Sequence, residues 1–253
     1  MDDIIGNPEV QADYCEPQMW ADNCLVCAET SIIKQFGIDI DQGSAAYNSA
    51  VNGWYMPGCG TSATDMGNLM DLYGVENHTV TNATVADLAQ ELKSGHGVVV
   101  GIRSDQLWDQ GPGQELINFL AKLVGVDTSE YQPADHAIVV TGIGESPDGP
   151  VVYINDSGVP DGAAQPYPLD RFMDAWENGG FTYTATDDAL PSIVGDNPTP
   201  SFLGGIPDNF WEKWLPVGAG LVATIFTGDL LVGGVTTEFI SDLMNSEEFA
   251  KLI

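Results

Sequence analysis

Basic side chains are what this sequence of 253 residues has least of: Lys and Arg together number 7 against 37 Asp and Glu, for a formal net charge of -30. A surface of that sign repels nucleic acid phosphates and anionic lipid headgroups, so no nucleic acid partner is expected; it would attract cationic peptides or proteins, or serve as a strongly solvated surface suited to high salt. Histidine is also scarce, with three in the chain, so chemistry that needs an imidazole can draw only on His78, His96 and His136. Four cysteines, Cys15, Cys24, Cys27 and Cys59, are too few for a disulfide scaffold at this length. Cys24 and Cys27 have C-x-x-C spacing, but no second such pair exists and the histidines are scattered, which argues against a structural zinc site. No clear strand precedes the pair, which argues against a thioredoxin-like redox motif. Cys15 and Cys59 are open to pairing or to remaining free. Nothing in the chain implies a metal or an organic cofactor.

The N-terminus, Met1 to Pro8, has neither a basic region nor an apolar run. No secretory signal peptide is expected, which leaves a cytoplasmic location and export by a signal-independent route both open. The apolar stretch Leu215 to Thr236 is close to bilayer length, but Asp229, Pro216 and several glycines interrupt it, so a membrane span is not expected.

What the chain does have is a hydrophobic fraction of 43%, that of a folded globular protein with one good-sized core. Leu25, Ala28, Ile32, Ile33 and Phe36 recur at helical spacing, with Asn23 as a candidate N-cap and Gly37 as a stop. Short helices are expected over Asp41 to Asn52, Thr61 to Tyr73 and Thr84 to Lys93, and Gly53 to Gly60 reads as a breaker-rich loop. The pattern then changes. Val75 to Val80, Gly97 to Ile102, His136 to Ile143, Val151 to Asn155 and Phe181 to Ala185 read as strands, the second of them buried on both faces. A short helix, Leu169 to Trp176, falls between the last two. Helices first and a mostly antiparallel set of strands second define an α+β fold. Residues 103 to 134 form a long polar excursion of the kind used as a lid or specificity loop.

Residues 1–188 are therefore read as one folded domain. A Pro/Gly-rich linker is expected over 189–209, followed at 210–253 by an apolar segment and an amphipathic helix that would pack on the domain or engage a protein partner.

The functional reading starts at Cys24, placed at the first turn of a helix. Unpaired N–H groups and the positive end of the dipole stabilise a thiolate there. A thiol hydrolase also needs a base, a group to orient it, and donors for the oxyanion. His78 sits in the polar stretch Glu76-Asn-His-Thr and His96 in a Gly-His-Gly turn, whereas His136 opens a strand, where an imidazole can face a cleft. The turn Glu145 to Pro150 suggests that the strands on either side form a hairpin. The end of the second then lies beside the start of the first, with Asn155 or Asp156 within reach of His136.

The order of Gln18, Cys24 six positions later at a helix start, His136 opening a strand and Asp156 ending the next resembles the papain-like cysteine peptidases. More narrowly it resembles the bacteriocin-processing, double-glycine peptidase branch. The resemblance runs from about Tyr14 to Thr186 and includes Gly60 to Gly74, Thr84 to Lys93 and Gly95 to Ile102. It implies Cys24 as nucleophile, His136 as base, Asp156 as its orienting acid, and Gln18 with the Cys24 N–H as oxyanion donors. It implies a papain-like fold and a peptide or protein substrate cleaved through an acyl-enzyme. Asn23, Leu25 and Ser157 stand where the family usually has Asp, Gly and Pro. These departures bear on double-glycine specificity, and Asn23 and Leu25 motivate an alternative, an inactive papain-like interaction module; a thiol acyltransferase using the same chemistry is another. Leu203-Gly204-Gly205 and Gly179-Gly180 resemble double-glycine sites, with self-processing after Gly205 as a further expectation.

Overall fold

The structure, a computed structural model, describes residues 4–108 and 134–194. Its first elements are strand β1 (Ile5–Gly6) and helix α1 (Pro8–Ala12). Helices α2 (Cys24–Gln35) and α3 (Gln42–Val51) follow. The loop expected over 53–60 contains a small hairpin, β2 (Tyr55–Met56) and β3 (Gly60–Thr61). Next come α4 (Asn68–Leu72), β4 (Asn77–Val80), α5 (Val85–Ser94), β5 (Val98–Ile102) and α6 (Ser104–Leu107). The second half holds β6 (His136–Ser146), β7 (Gly149–Asn155), β8 (Gln165–Pro168), α7 (Leu169–Glu177), β9 (Tyr183–Thr186) and α8 (Pro191–Val194).

Among the described residues the main sheet has seven strands in the order β4-β9-β5-β6-β7-β8, with β1 also on β6. Every pairing in it is antiparallel. β6 is long because it serves two partners in succession. Residues 136–140 pair with β5, a register shift follows between Val140 and Gly142, and Gly142 and Ile143 then pair with β1. Such a bulge bends a strand and lets it change partners.

Helix α2 crosses this sheet. Leu25, Ala28, Ile32 and Ile33 share one core cluster with Val99, Ala137 and Val139, alternate positions of β5 and β6. All five residues of β5 are buried, as a strand covered on both faces requires. α7 also packs on β5, and its Phe172 and Trp176 are fully buried. α5 is fixed at its start by a capping box between Thr84 and Asp87 and at its end by left-handed Gly95.

Two expectations are corrected. The single helix read over Thr61 to Tyr73 is a 3-10 turn, Ala63–Asp65, and a separate α4, because Met66 is extended and Gly67 has φ +95. The break lets the N–H groups of Gly67 and Met70 reach the buried carboxylate of Glu29 on α2, at 2.9 and 3.1 Å. Asn23 precedes α2 as expected but gives it no side-chain cap; its Oδ1 accepts the Trp20 N–H instead, at 3.2 Å. The residues that open the segment read as a linker pack on the domain: Leu190 is fully buried and Ser192 donates to Gln35. The expectations for most of the excursion 103–134, for Gly205 and for 210–253 fall outside the described residues. Among the described residues no helix is long and apolar enough to cross a membrane.

Glu29 supplies a test of the α2–α4 junction. Burial pushes its carboxyl from 4.5 up to about 7, against the lowering effect of the Gly67 and Met70 N–H groups. A carboxyl raised on folding stabilises the fold below its unfolded value and loses that contribution as pH rises through the folded value. The melting-temperature difference between wild type and Glu29→Gln should therefore shift toward the variant as pH rises from 4.5 through about 7.

Candidate active site

Cys24 is the first residue of α2, where helix N–H groups have no intrahelical partner. The helix points this end at the beginning of β6, because α2 packs along that strand. His136 opens β6 and is buried, 7% exposed. β6 and β7 form the expected hairpin, with Val139 opposite Asn155, which brings the chain after β7 back beside His136.

Of Asn155 and Asp156, only the second places its side chain at His136. Asn155 faces the opposite way, donating to the Gln11 carbonyl and accepting the Ala164 N–H, both at 2.8 Å. Asp156 Oδ1 lies 2.6 Å from His136 Nε2, and Cys24 is close enough to the same imidazole to help hold its proton. With Nε2 directed at the carboxylate, Nδ1 is the ring atom left for the sulfur. Burial works against an imidazolium here, yet the hydrogen bonds to Asp156 and Cys24 and their charge raise His136 from 6.5 to about 9. Burial would raise Asp156, but the bond and charge of His136, with help from Trp108 and the Gly158 N–H, hold it below the usual carboxylate value.

Glycine at 158 is a requirement of this packing. A Cβ there would lie 2.8 Å from His136 Cε1 and 3.1 Å from Nε2, closer than real side chains approach. The missing side chain also lets the Gly158 N–H reach Asp156 Oδ1 at 2.8 Å.

Gln18 lies on the turn before α2 and is tied to the chain beyond Asp156. Its N–H donates to the Ser157 carbonyl at 2.9 Å, and its side-chain oxygen accepts the Ser157 hydroxyl at 3.2 Å. One amide hydrogen goes to the Trp20 carbonyl at 2.8 Å. The turn itself is held by Gln42 of α3, whose Oε1 accepts the Met19 N–H and whose Nε2 donates to the Pro17 carbonyl. Ser157, noted as a departure at the sequence level, thus fastens the Gln18 amide to the loop that carries Asp156.

All four cysteines are free. Burial, followed by the charge of Asp156, pushes Cys15 up to about 11, and burial followed by Cys24 pushes Cys27 to about 12. Both are held as neutral thiols. The other histidines are elsewhere, His78 on edge strand β4 with Asp187 at 2.7 Å and His96 with Glu91 at 2.6 Å. No group of three or more His, Cys, Asp or Glu among the described residues is arranged to hold a metal ion. Two contributors escaped the sequence reading. Gln42 looked like an ordinary helix-start residue, and Trp108, whose indole meets Asp156, lies far from both strands in sequence.

A cysteine at the head of a helix, laid against an antiparallel sheet whose strand opens with histidine, defines a papain-like cysteine peptidase fold. The chain belongs to the Peptidase_C39 like family, whose profile matches residues 7–184. Uncharacterized proteins of Mycobacterium bovis and Mycobacterium tuberculosis are 29% identical to it over 199 residues, spanning 68% of this chain and 80% of theirs. A crystal structure of a C39-like peptidase assignment from Bacillus anthracis has the same fold, with a TM-score of 0.50 and 14% identity, covering 75% of this chain and 100% of the other.

Gly158→Ala tests the close packing at the site. The added methyl is expected to push the imidazole off Asp156 and to slow iodoacetamide alkylation of Cys24 by about tenfold or more, since small misplacements of reacting groups cost that much.

Proposed function

We propose that the protein is a cysteine peptidase in which Cys24, His136 and Asp156 act as one unit. The observation that carries the reading is the 2.6 Å bond between Asp156 and His136 Nε2, on an imidazole whose proton Cys24 also helps to hold. The sulfur attacks a peptide carbonyl while its proton resides on His136. The oxyanion that forms is met by the Cys24 N–H and the Gln18 amide, which has one hydrogen beyond that given to Trp20. His136 then hands its proton to the leaving amine, producing an acyl-enzyme. A water deprotonated by His136 releases the acyl group, and Asp156 holds the ring in place throughout.

The substrate side of the reading is a peptide, with cationic sequences favoured by the net charge of -30. Met19 and Trp20 are exposed, 64% and 44%, on the turn between Gln18 and Cys24, and they offer such a peptide apolar surface on the segment that leads to the nucleophile. In the same reading residues 1–188 form the peptidase domain, with 210–253 available to a protein partner.

Two measurements test this. Iodoacetamide is expected to alkylate Cys24 near neutral pH faster than it does a simple thiol, and His136→Ala to slow that reaction by about tenfold or more. Equal rates, unchanged by His136→Ala, would remove the pair. Hydrolysis of a mixed peptide library should fall by about 10²-fold or more in Cys24→Ala. Its alkaline limb should centre near pH 9, because the raised His136 keeps its proton for the leaving amine below that value and loses it above.

A further inference from the structure

The carboxylate of Asp156 is held at both oxygens. Oδ1 receives His136 Nε2 and the Gly158 N–H, and Oδ2 receives the indole Nε1–H of Trp108 at 2.9 Å. The same indole stands edge-on to the imidazole, ring centres 5.2 Å apart and planes at 62°. One side chain therefore touches both members of the His136–Asp156 pair, from a segment that belongs to neither strand.

Trp108 is itself braced. Its N–H closes the last turn of α6 on the Ser104 carbonyl at 2.9 Å, and Leu107 beside it is fully buried. Arg171 of α7 donates from Nη2 to the Trp108 carbonyl at 2.7 Å and from Nε to the Gln106 carbonyl at 3.1 Å. The backbone that carries the indole is thereby tied to α7.

We propose that Trp108 is a positioning residue for the His136–Asp156 pair, its N–H locking the carboxylate in line with the imidazole and its indole ring keeping water off the bond between them. A carboxylate free to turn would offer His136 either oxygen or neither. Water at the bond would screen the attraction that keeps the imidazole charged, since charge pairs weaken steeply as the local dielectric rises. An indole that only filled space would need a partner for its N–H but not this one. Here the partner is the group that orients the imidazole, and the ring covers the imidazole as well. The inference rests on the reading of this pair as part of a peptidase site, and it adds a residue that the family resemblance did not supply.

The experiment uses the full chain and two variants. Trp108→Phe keeps the ring and removes the donor; Trp108→Ala removes both. The first readout is the proton resonance of His136 Nε2–H, which a short, shielded bond moves far downfield and protects from exchange. The second is the rate of Cys24 alkylation by iodoacetamide near neutral pH. In wild type the resonance is expected to be visible. Trp108→Ala should lose it to exchange and react about tenfold more slowly, whereas Trp108→Phe should keep it at a shifted position and slow by about threefold. A wild type with no such resonance overturns the proposal, as does a folded Trp108→Phe or Trp108→Ala with wild-type resonance and rate. Should Trp108→Ala not fold, Trp108→Phe decides. If wild-type Cys24 reacts no faster than a simple thiol, the peptidase reading fails, and the resonance in Trp108→Phe still decides the role of Trp108.

Discussion

The bond between His136 Nε2 and Asp156 Oδ1 is the contact on which the rest of the site depends, and much of the fold is arranged to make it. The β6–β7 hairpin returns the chain to the mouth of β6, and the pairing of Val139 with Asn155 sets how far. Asn155 is turned away and anchored on Gln11 and Ala164. The residue after it then falls on the histidine side, as the alternation of an extended chain requires. Glycine at 158 leaves room for the ring, and the absence of a side chain at Gly162 lets the chain close on the Asp156 carbonyl. Burial works against the charged form of His136, and the Asp156 carboxylate, with Cys24, favours it, so the bond also bears on the protonation state of the site.

The nucleophile side is built by different means. α2 is a core helix whose apolar face packs on β5 and β6, and its first turn is thereby aimed at His136. The turn before it is held from three directions: Gln42 grips its start, Ser157 fastens Gln18, and Asp22 near its end accepts from Tyr55 and the Gly58 N–H. These polar contacts are made by neutral amides and hydroxyls more than by ion pairs, as suits a chain with few cations. Of those cations, Arg103 and Arg171 both brace α6, the helix that delivers Trp108.

Most of the scaffold was legible because its signals are local. The helical spacing from Leu25 to Phe36, the helix read over Thr84 to Lys93, and the β-branched run ending at Ile102 each met a structure with nearly the expected bounds. The hairpin followed from its turn. The features that were not legible depend on distant partners. The helix read over Thr61 to Tyr73 breaks because Glu29, far away in sequence, binds amides that an unbroken helix would keep. Asn155 and Asp156 could not be told apart, since a single step of strand register exchanges them. Trp108 carries no pattern of its own; only the fold shows that its indole reaches Asp156. Asn23 had the composition of a cap but serves the preceding turn instead.

The account stands or falls on whether one imidazole is shared by a sulfur and a carboxylate, and an NMR titration of the His136 ring in the full chain measures this most directly. The account predicts that the ring titrates near pH 9 in wild type and drops toward its ordinary 6.5 in Asp156→Asn, with a smaller drop in Cys24→Ala. A wild-type ring that already titrates near 6.5, and that neither substitution moves, would contradict it.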